Sequence, residues 1–416
     1  MNRKQIIILL VVVLALGGAG YLIHKRQTES WTPASSAMGK KLLGDFPLND
    51  VAHIVIKQGT NELNLAKKDN LWRVRERNDY PANYTEISDF LIKARELKIV
   101  QSEEVGPSQL PRLSLTTGQG TNSAMLVDFK DQSDKSIRTV LLGKKHMRKS
   151  DRPSPLGDMG SEGWPDGRYV KVGNDSGNVS LISEALANIE PKPDQWLNKD
   201  FFKVEKVRSI AVTYPAATNS WKVTRETETG EWKLSDAKPG EQLDSGKTSA
   251  LNNPLSSPGF NDVATTAKPE ELGLDKPTLV SLETFDNFTY NVKVGEKTND
   301  NVPITMTVAA QPAKERTPGK DEKPEDKDKL DKEFKEKQKK LEEKLAQEKS
   351  YENWVYLVSS WSVDPVLKER SQLMAEKKEE KKDEKPATPE AAKKEITPPT
   401  PAPTPPPVPE NKPESK

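Results

Sequence analysis

The residues that could do chemistry are few and far apart. The chain has three histidines, His24, His53 and His146. None has a partner at the HxxxH or HExxH spacing that sets two imidazoles on one helix face for a metal. Cysteine is absent, which removes disulfides, thiolate metal sites, cysteine nucleophiles and lipoprotein acylation together. The most tempting motif is PGEQLDSGKT (239–248), with its GKT ending. Gly240 and Gly246 enclose five residues, where a phosphate loop needs four. No apolar strand leads into it, and Glu241 and Asp244 would repel phosphate. The expectation there is a turn, with Asp244 capping the helix that follows. No GxSxG occurs either, since Gly160-Ser161-Glu162-Gly163 lacks the spacing. Asp and Glu number 63, so a neighbouring pair of carboxylates would carry no information about hydrolytic chemistry. The sequence thus offers no catalytic, cofactor-binding or metal-binding residue. The expectation is a non-enzymatic protein with no cofactor and no small-molecule ligand.

Binding is a different matter. Residues 144–168, KKHMRKSDRPSPLGDMGSEGWPDGR, read as a long loop rich in Lys, Arg, Pro and Gly. Long loops on a rigid scaffold are where binding tends to reside, although an ordinary strand connection would look the same. Trp164 and Trp361 are candidate stacking platforms, should the chain hold or cleave a cell-wall polymer or polysaccharide. A net charge of only +1 removes the broad electrostatic argument for nucleic acid.

The element that decides where these residues act is the first apolar run, Ile6 to Ile23. Eighteen uncharged residues as a helix would span roughly 27 Å, enough to cross a bilayer's hydrocarbon core. Arg3 and Lys4 precede the run; His24, Lys25 and Arg26 follow it. The Gly17-Gly18-Ala19-Gly20 cluster would suit a cleaved signal peptide, but Tyr21 to Ile23 carry the run past it. We expect an uncleaved signal anchor over 1–26, in a bacterial cytoplasmic membrane. The short N-terminal tail would stay in the cytoplasm and the rest of the chain would lie outside it. Residues 27–40 are small and polar and read as a tether.

Over the whole chain, apolar residues (33%) and charged ones (31%) are nearly equal, a poor average for one large core. The charge, however, is concentrated in two segments, and what remains is strand-like. VAHIVIK (51–57), LNLAKK (63–68) and LWRVRE (71–76) suggest a meander. In YPANYTEISDFLIKARELKIV (80–100), Asn83 and Glu86 form a capping-box pattern, and Ile87, Phe90, Leu91, Ala94 and Leu97 recur at helical spacing. Strands are expected at 112–117, 124–129, 136–143, 168–172 and 178–182, with a short helix at SEALANI (183–189). The same order then recurs. FPLNDVAHIVIK (46–57) aligns with FFKVEKVRSIAVT (201–213), placing Ile54 on Ile210. LWRVRE aligns with EWKLSD (231–236), placing Trp72 on Trp232. RLSLTT (112–117) aligns with TLVSLETF (278–285), VLLGKK (140–145) with VKVGEK (292–297), and RYVKV (168–172) with NWVYLV (353–358). The predicted fold class is α+β: mostly antiparallel, tandem-duplicated domains over 41–200 and 201–374, after one transmembrane helix.

Two charged segments fall outside this pattern. Residues 311–350 are expected to be an inserted, solvated Lys/Glu helix projecting from a loop. Leu330, Phe334, Leu341 and Leu345 give it a thin apolar stripe, so a coiled-coil arm is the competing reading. Residues 375–416 begin Lys/Glu-rich and end Pro-rich, with too little apolar surface to offset chain entropy, and a disordered tail is expected.

The motifs LWRVRERNDYPANYTEISDFLIKARELKIV (71–100), VLLGKK (140–145), GWPDGRYVKV (163–172) and WLNKDFF (196–202), behind an N-terminal anchor, resemble the bacterial domain of unknown function numbered 4340. The similarity covers most of residues 41–365 and is fainter in the second half, where the YPA element and the long helix are degraded. The resemblance implies a single-pass, extracytoplasmic β-rich module, often encoded beside ABC-type transporter subunits of the gliding-motility kind. The implied partners are the lipid bilayer and a membrane protein. A structural spacer is a further alternative.

Overall fold

A computed structural model describes residues 37–118, 120, 123–148, 164–173, 178–265, 268–319 and 322–375. The apolar run, residues 27–36 of the tether, the segment 149–163 and the tail from residue 376 lie outside the described residues. Among the described residues, no helix is long and apolar enough to cross a membrane.

Alternating apolar and polar residues do produce strands, because successive side chains point to opposite sheet faces. The first half supplies β1 (His53–Gln58), β2 (Asn61–Lys68), β3 (Leu71–Val74), β4 (Tyr80–Pro81), β5 (Ile99–Glu104), β6 (Met125–Lys130), β7 (Ser136–Arg148), β8 (Trp164–Val172) and β9 (Asn178–Ile182). They form one antiparallel sheet in the order β4-β3-β2-β1-β6-β7-β8-β9-β5. Residues 39–42 run along its far edge: the Gly39 N–H donates to the Ile99 carbonyl at 2.8 Å and the Leu42 N–H to that of Leu97 at 2.8 Å. Helix α1 (Tyr84–Glu96) begins at Asn83, whose side chain accepts from the Thr85 and Glu86 amides. Only that half of the expected capping box is present. All five residues at helical spacing are buried, and Phe90 packs on Phe129 of β6 at 5.6 Å between ring centroids.

The second half supplies β10 (Val207–Thr213), β11 (Trp221–Thr224), β12 (Lys233–Leu234), β13 (Asp262–Val263), β14 (Thr278–Thr284), β15 (Phe288–Val294), β16 (Asn301–Ala310) and β17 (Tyr356–Ser359). Their order is β12-β11-β10-β14-β15-β16-β17-β13. Numbered within its own half, this is the order of the first sheet without β4. Registers agree as well. Ile54 faces Leu65 and Phe129, as Ile210 faces Val223 and Leu282. Both sheets lie in one compact unit ending at Ala375.

Two side-chain devices recur at matching places. The Lys67 ammonium donates to the Val51 carbonyl at 2.9 Å and sits 5.1 Å from the Trp72 ring centre. The Arg225 Nε donates to the Val207 carbonyl at 2.6 Å, and its guanidinium lies 4.6 Å from the Trp232 ring. In each half a cation on or just past the second strand, stacked on a tryptophan, ties down the chain where it enters the first. The second device is a glycine. A Cβ on Gly143 would collide with the Leu113 carbonyl oxygen, and one on Gly295 with that of Leu272. The short 3-10 turns Leu110–Leu113 and Pro269–Leu272 thus pack directly on strand backbone.

Several expectations need correction. RLSLTT is not a strand: its first two residues end the 3-10 turn and the rest is irregular, so β6 holds the place of β14. RYVKV lies in β8, which holds the place of β16, while NVSLI (178–182), as β9, holds the place of β17 and the NWVYLV segment. Short apolar strings can be slid by a strand without losing their pattern, and only the ladder fixes them. SEALANI forms a bend and turn instead of a helix. Residues 144–148 and 164–168, expected as loop, extend the β7–β8 hairpin. The short α2 (Ser245–Thr248) stands where the first half has α1, capped by Asp244 as expected.

The charged helix α3 (Lys327–Lys349) does not simply project. Leu341 and Leu345 pack on the core. Glu348 is buried, accepting from the Tyr290 hydroxyl at 2.7 Å and the Lys203 N–H at 3.0 Å. Lys344 bonds the Lys203 carbonyl and the Glu205 carboxylate. Leucines and one buried carboxylate hold the C-terminal half of the helix down, which a charge count cannot reveal.

Burial raises the Glu348 carboxyl above its ordinary 4.5. A raised folded-state pKa contributes stability that is full below the ordinary value and is lost as pH rises through the raised one. Glu348→Gln should therefore gain on the wild type as pH rises from about 4.5. Glu348→Ala should lose about 1–3 kcal/mol, because the Tyr290 hydroxyl and Lys203 amide lose their acceptor; urea unfolding at two pH values measures both. By the same assay, Gly143→Ala and Gly295→Ala should each cost about 1–3 kcal/mol from overpacking. Gly106→Ala, with nothing within 4 Å of the added carbon, should be close to neutral.

Candidate functional site

The most site-like concavity lies at the β5 end of the first sheet. It is a cleft of about 610 Å³ between the face of β7, β8, β9 and β5 and the turn Leu110–Leu113. Tyr169, Val179 and Leu181 contribute its apolar surface, while Arg112, Lys144, Lys145 and His146 contribute positive or ionisable groups. Gly143 lets the turn approach the sheet, so the wall is fixed by backbone packing. His146 Nδ1 is 2.6 Å from the Asp166 carboxylate, and this contact holds the Asp166 carboxyl below the usual range. Met147, on the rim of the cleft, and Trp164 stand on adjacent strands with 40% and 57% of their surface exposed. The loop expected at 144–168 thus contributes cleft-lining residues and an exposed apolar edge, and its segment 149–163 lies outside the described residues.

Arg168 lies behind this surface with 5% of its area exposed. Its Nε donates to the Gly143 carbonyl at 2.8 Å and an Nη to the Leu186 carbonyl at 3.2 Å. Burial lowers its pKa to about 10, so it stays charged at neutral pH. Its role is to brace β7 against the turn that follows β9.

The other sequence candidates stay apart. His53 is buried and bonded to Asp134 at 2.6 Å and Asn64 at 3.0 Å, which satisfies both ring nitrogens. His24 lies outside the described residues. Among the described residues, no group of three His, Asp or Glu could hold a metal. The GKT run forms α2 and its cap. Trp361, 69% exposed, is on the short helix α4 (Ser360–Val363) after the second sheet, whereas Trp164 belongs to the first. Sequence reasoning missed Arg112 and Tyr169 as cleft residues, because the turn bearing Arg112 reads as a strand.

Arg168→Ala should leave two buried carbonyls without donors and cost about 1–3 kcal/mol. Hydrogen exchange should quicken in β7 and β8 before it does in β10 and β14; uniform quickening would contradict the bracing role.

WLNKDFF is structural throughout. The Trp196 carbonyl accepts from the Asn83 N–H at 2.8 Å, and the Asn198 N–H donates to the Pro81 carbonyl at 2.9 Å. Phe201 and Phe202 are buried. Neither a curated protein nor a solved structure matches the chain. Residues 158–277 match a family model. That interval takes in the GRYVKV and WLNKDFF motifs and leaves out residues 71–100 and 140–145, so it is narrower than the 41–365 of the sequence resemblance. The model matched is that of the domain of unknown function DUF4340.

Proposed function

We propose that this protein is a non-enzymatic module, tethered outside the cytoplasmic membrane by residues 1–26, that binds a partner protein. The partner we infer is an ABC-type transporter subunit or a related envelope complex. The observation that carries the reading is the exposed Met147–Trp164 edge at the end of the β7–β8 hairpin. An exposed aromatic beside a methionine, on rigid strands, is the composition of an interface anchor. Arg168, Val170, Trp196, Leu197, Phe201 and Phe202 are buried and serve packing, which supports the exposed hairpin edge as the surface open to a partner. The body would be two duplicated domains, 41–200 and 201–374. Matching strand orders, matching registers and the two recurring side-chain devices favour duplication over chance likeness of β-rich strings.

The test is photo-crosslinking in native membranes. A crosslinking amino acid at position 164 should yield one discrete adduct, lost in a Met147→Asp background. The same group at Lys339, on the exposed side of α3, should yield none. Equal labelling from both positions would end the proposal.

A further inference from the structure

The cleft behind the hairpin carries charges that the fold does not require. Its wall depends on a glycine, Gly143, packed under a turn that ends at Leu113. The second sheet builds the same contact from Gly295 and Leu272. There, the residue before the leucine is Glu271 and the one after the glycine is Glu296. In the first sheet these are Arg112 and Lys144. Identical backbone packing therefore tolerates either sign of charge, and the cations answer to something other than folding.

Those cations are also uncommitted. Among the described residues, none of Arg112, Lys144 and Lys145 makes an ion pair. Arg112 bonds only the neutral Gln109 side chain, and Lys145 reaches the Ala187 carbonyl at 3.4 Å. Two lysines of the charged helix, by contrast, are paired: Lys344 with Glu205 and Glu348, Lys337 with Asp286. The one carboxylate lining the cleft among the described residues, Glu103, is engaged by Gln101.

We propose that this cleft binds an organic anion, with a carboxylate or phosphate held by Arg112 and Lys144 and an apolar part lying on Tyr169, Val179 and Leu181. Its volume, about 610 Å³, is that of a small-ligand site. Hydrogen bonds from a guanidinium or ammonium to such a group are charge-assisted and stronger than neutral ones. The inference does not rest on the partner reading, because it uses the cleft floor and not the hairpin edge.

The test uses the full chain in detergent and 1-naphthyl phosphate as probe, with 1-naphthol as the neutral control, both titrated by calorimetry. The phosphate should bind and the naphthol should bind at least about tenfold more weakly, as loss of a charged hydrogen bond implies. Lys144→Glu and Arg112→Glu should each weaken the phosphate by about tenfold or more, with unchanged melting because both side chains are exposed. Glu296→Lys in the second sheet should leave the affinity unchanged. Competition by phosphatidylglycerol vesicles would assign the anion to a lipid headgroup, and its absence to a soluble anion; both accord with the proposal. Equal binding of naphthol and naphthyl phosphate would overturn it, as would charge reversals without effect.

Discussion

The structure hangs on one aromatic joint between its halves, seated on a short ladder within the first. Residues 81–83 pair with 196–198 through backbone hydrogen bonds, and Ala82 bridges Leu197. Tyr80, at the start of that ladder, is 2% exposed and packs edge-on against Phe260, Trp354 and Tyr356. Beside it, Arg77 grips the Asp262 carboxylate with two nitrogens at 2.6 and 2.7 Å. The pair is only about a fifth exposed on each side, so it is screened less than a surface ion pair, and its bidentate geometry fixes orientation. Asn83 serves twice: its backbone joins the ladder while its side chain caps α1. The start of the helix and the ladder beside Tyr80 therefore meet at a single residue.

This joint explains why two strand-rich halves make one compact unit. Offset and edge-on aromatic pairs bury large areas in fixed geometry, and Phe201 extends the cluster to Tyr356 with a centroid separation of 4.5 Å. The family interval, 158–277, is centred on this region.

The two halves differ where a fold permits difference. Each keeps a glycine under a 3-10 turn and a cation over a tryptophan, because backbone approach and strand anchoring allow little else there. They diverge in the element over the core, a thirteen-residue helix against a short capped turn. They diverge also in the charges beside the conserved glycine contact. The charged insert likewise found its own way onto the second sheet, by burying Glu348 and two leucines.

The sequence by itself determined the α+β class, the strand-like runs at 51–57 and 124–129, the helix face from Ile87 to Leu97 and the Asp244 cap. Each follows from local periodicity or from one side chain meeting a nearby amide. The tertiary structure alone decided which strings correspond between the halves, since a period-two pattern survives a slip and only cross-strand pairing removes the ambiguity. It alone brought Arg112 beside Lys144 and Tyr169, residues separated by tens of positions, because a cleft is made by non-local packing that leaves no mark on neighbouring residues.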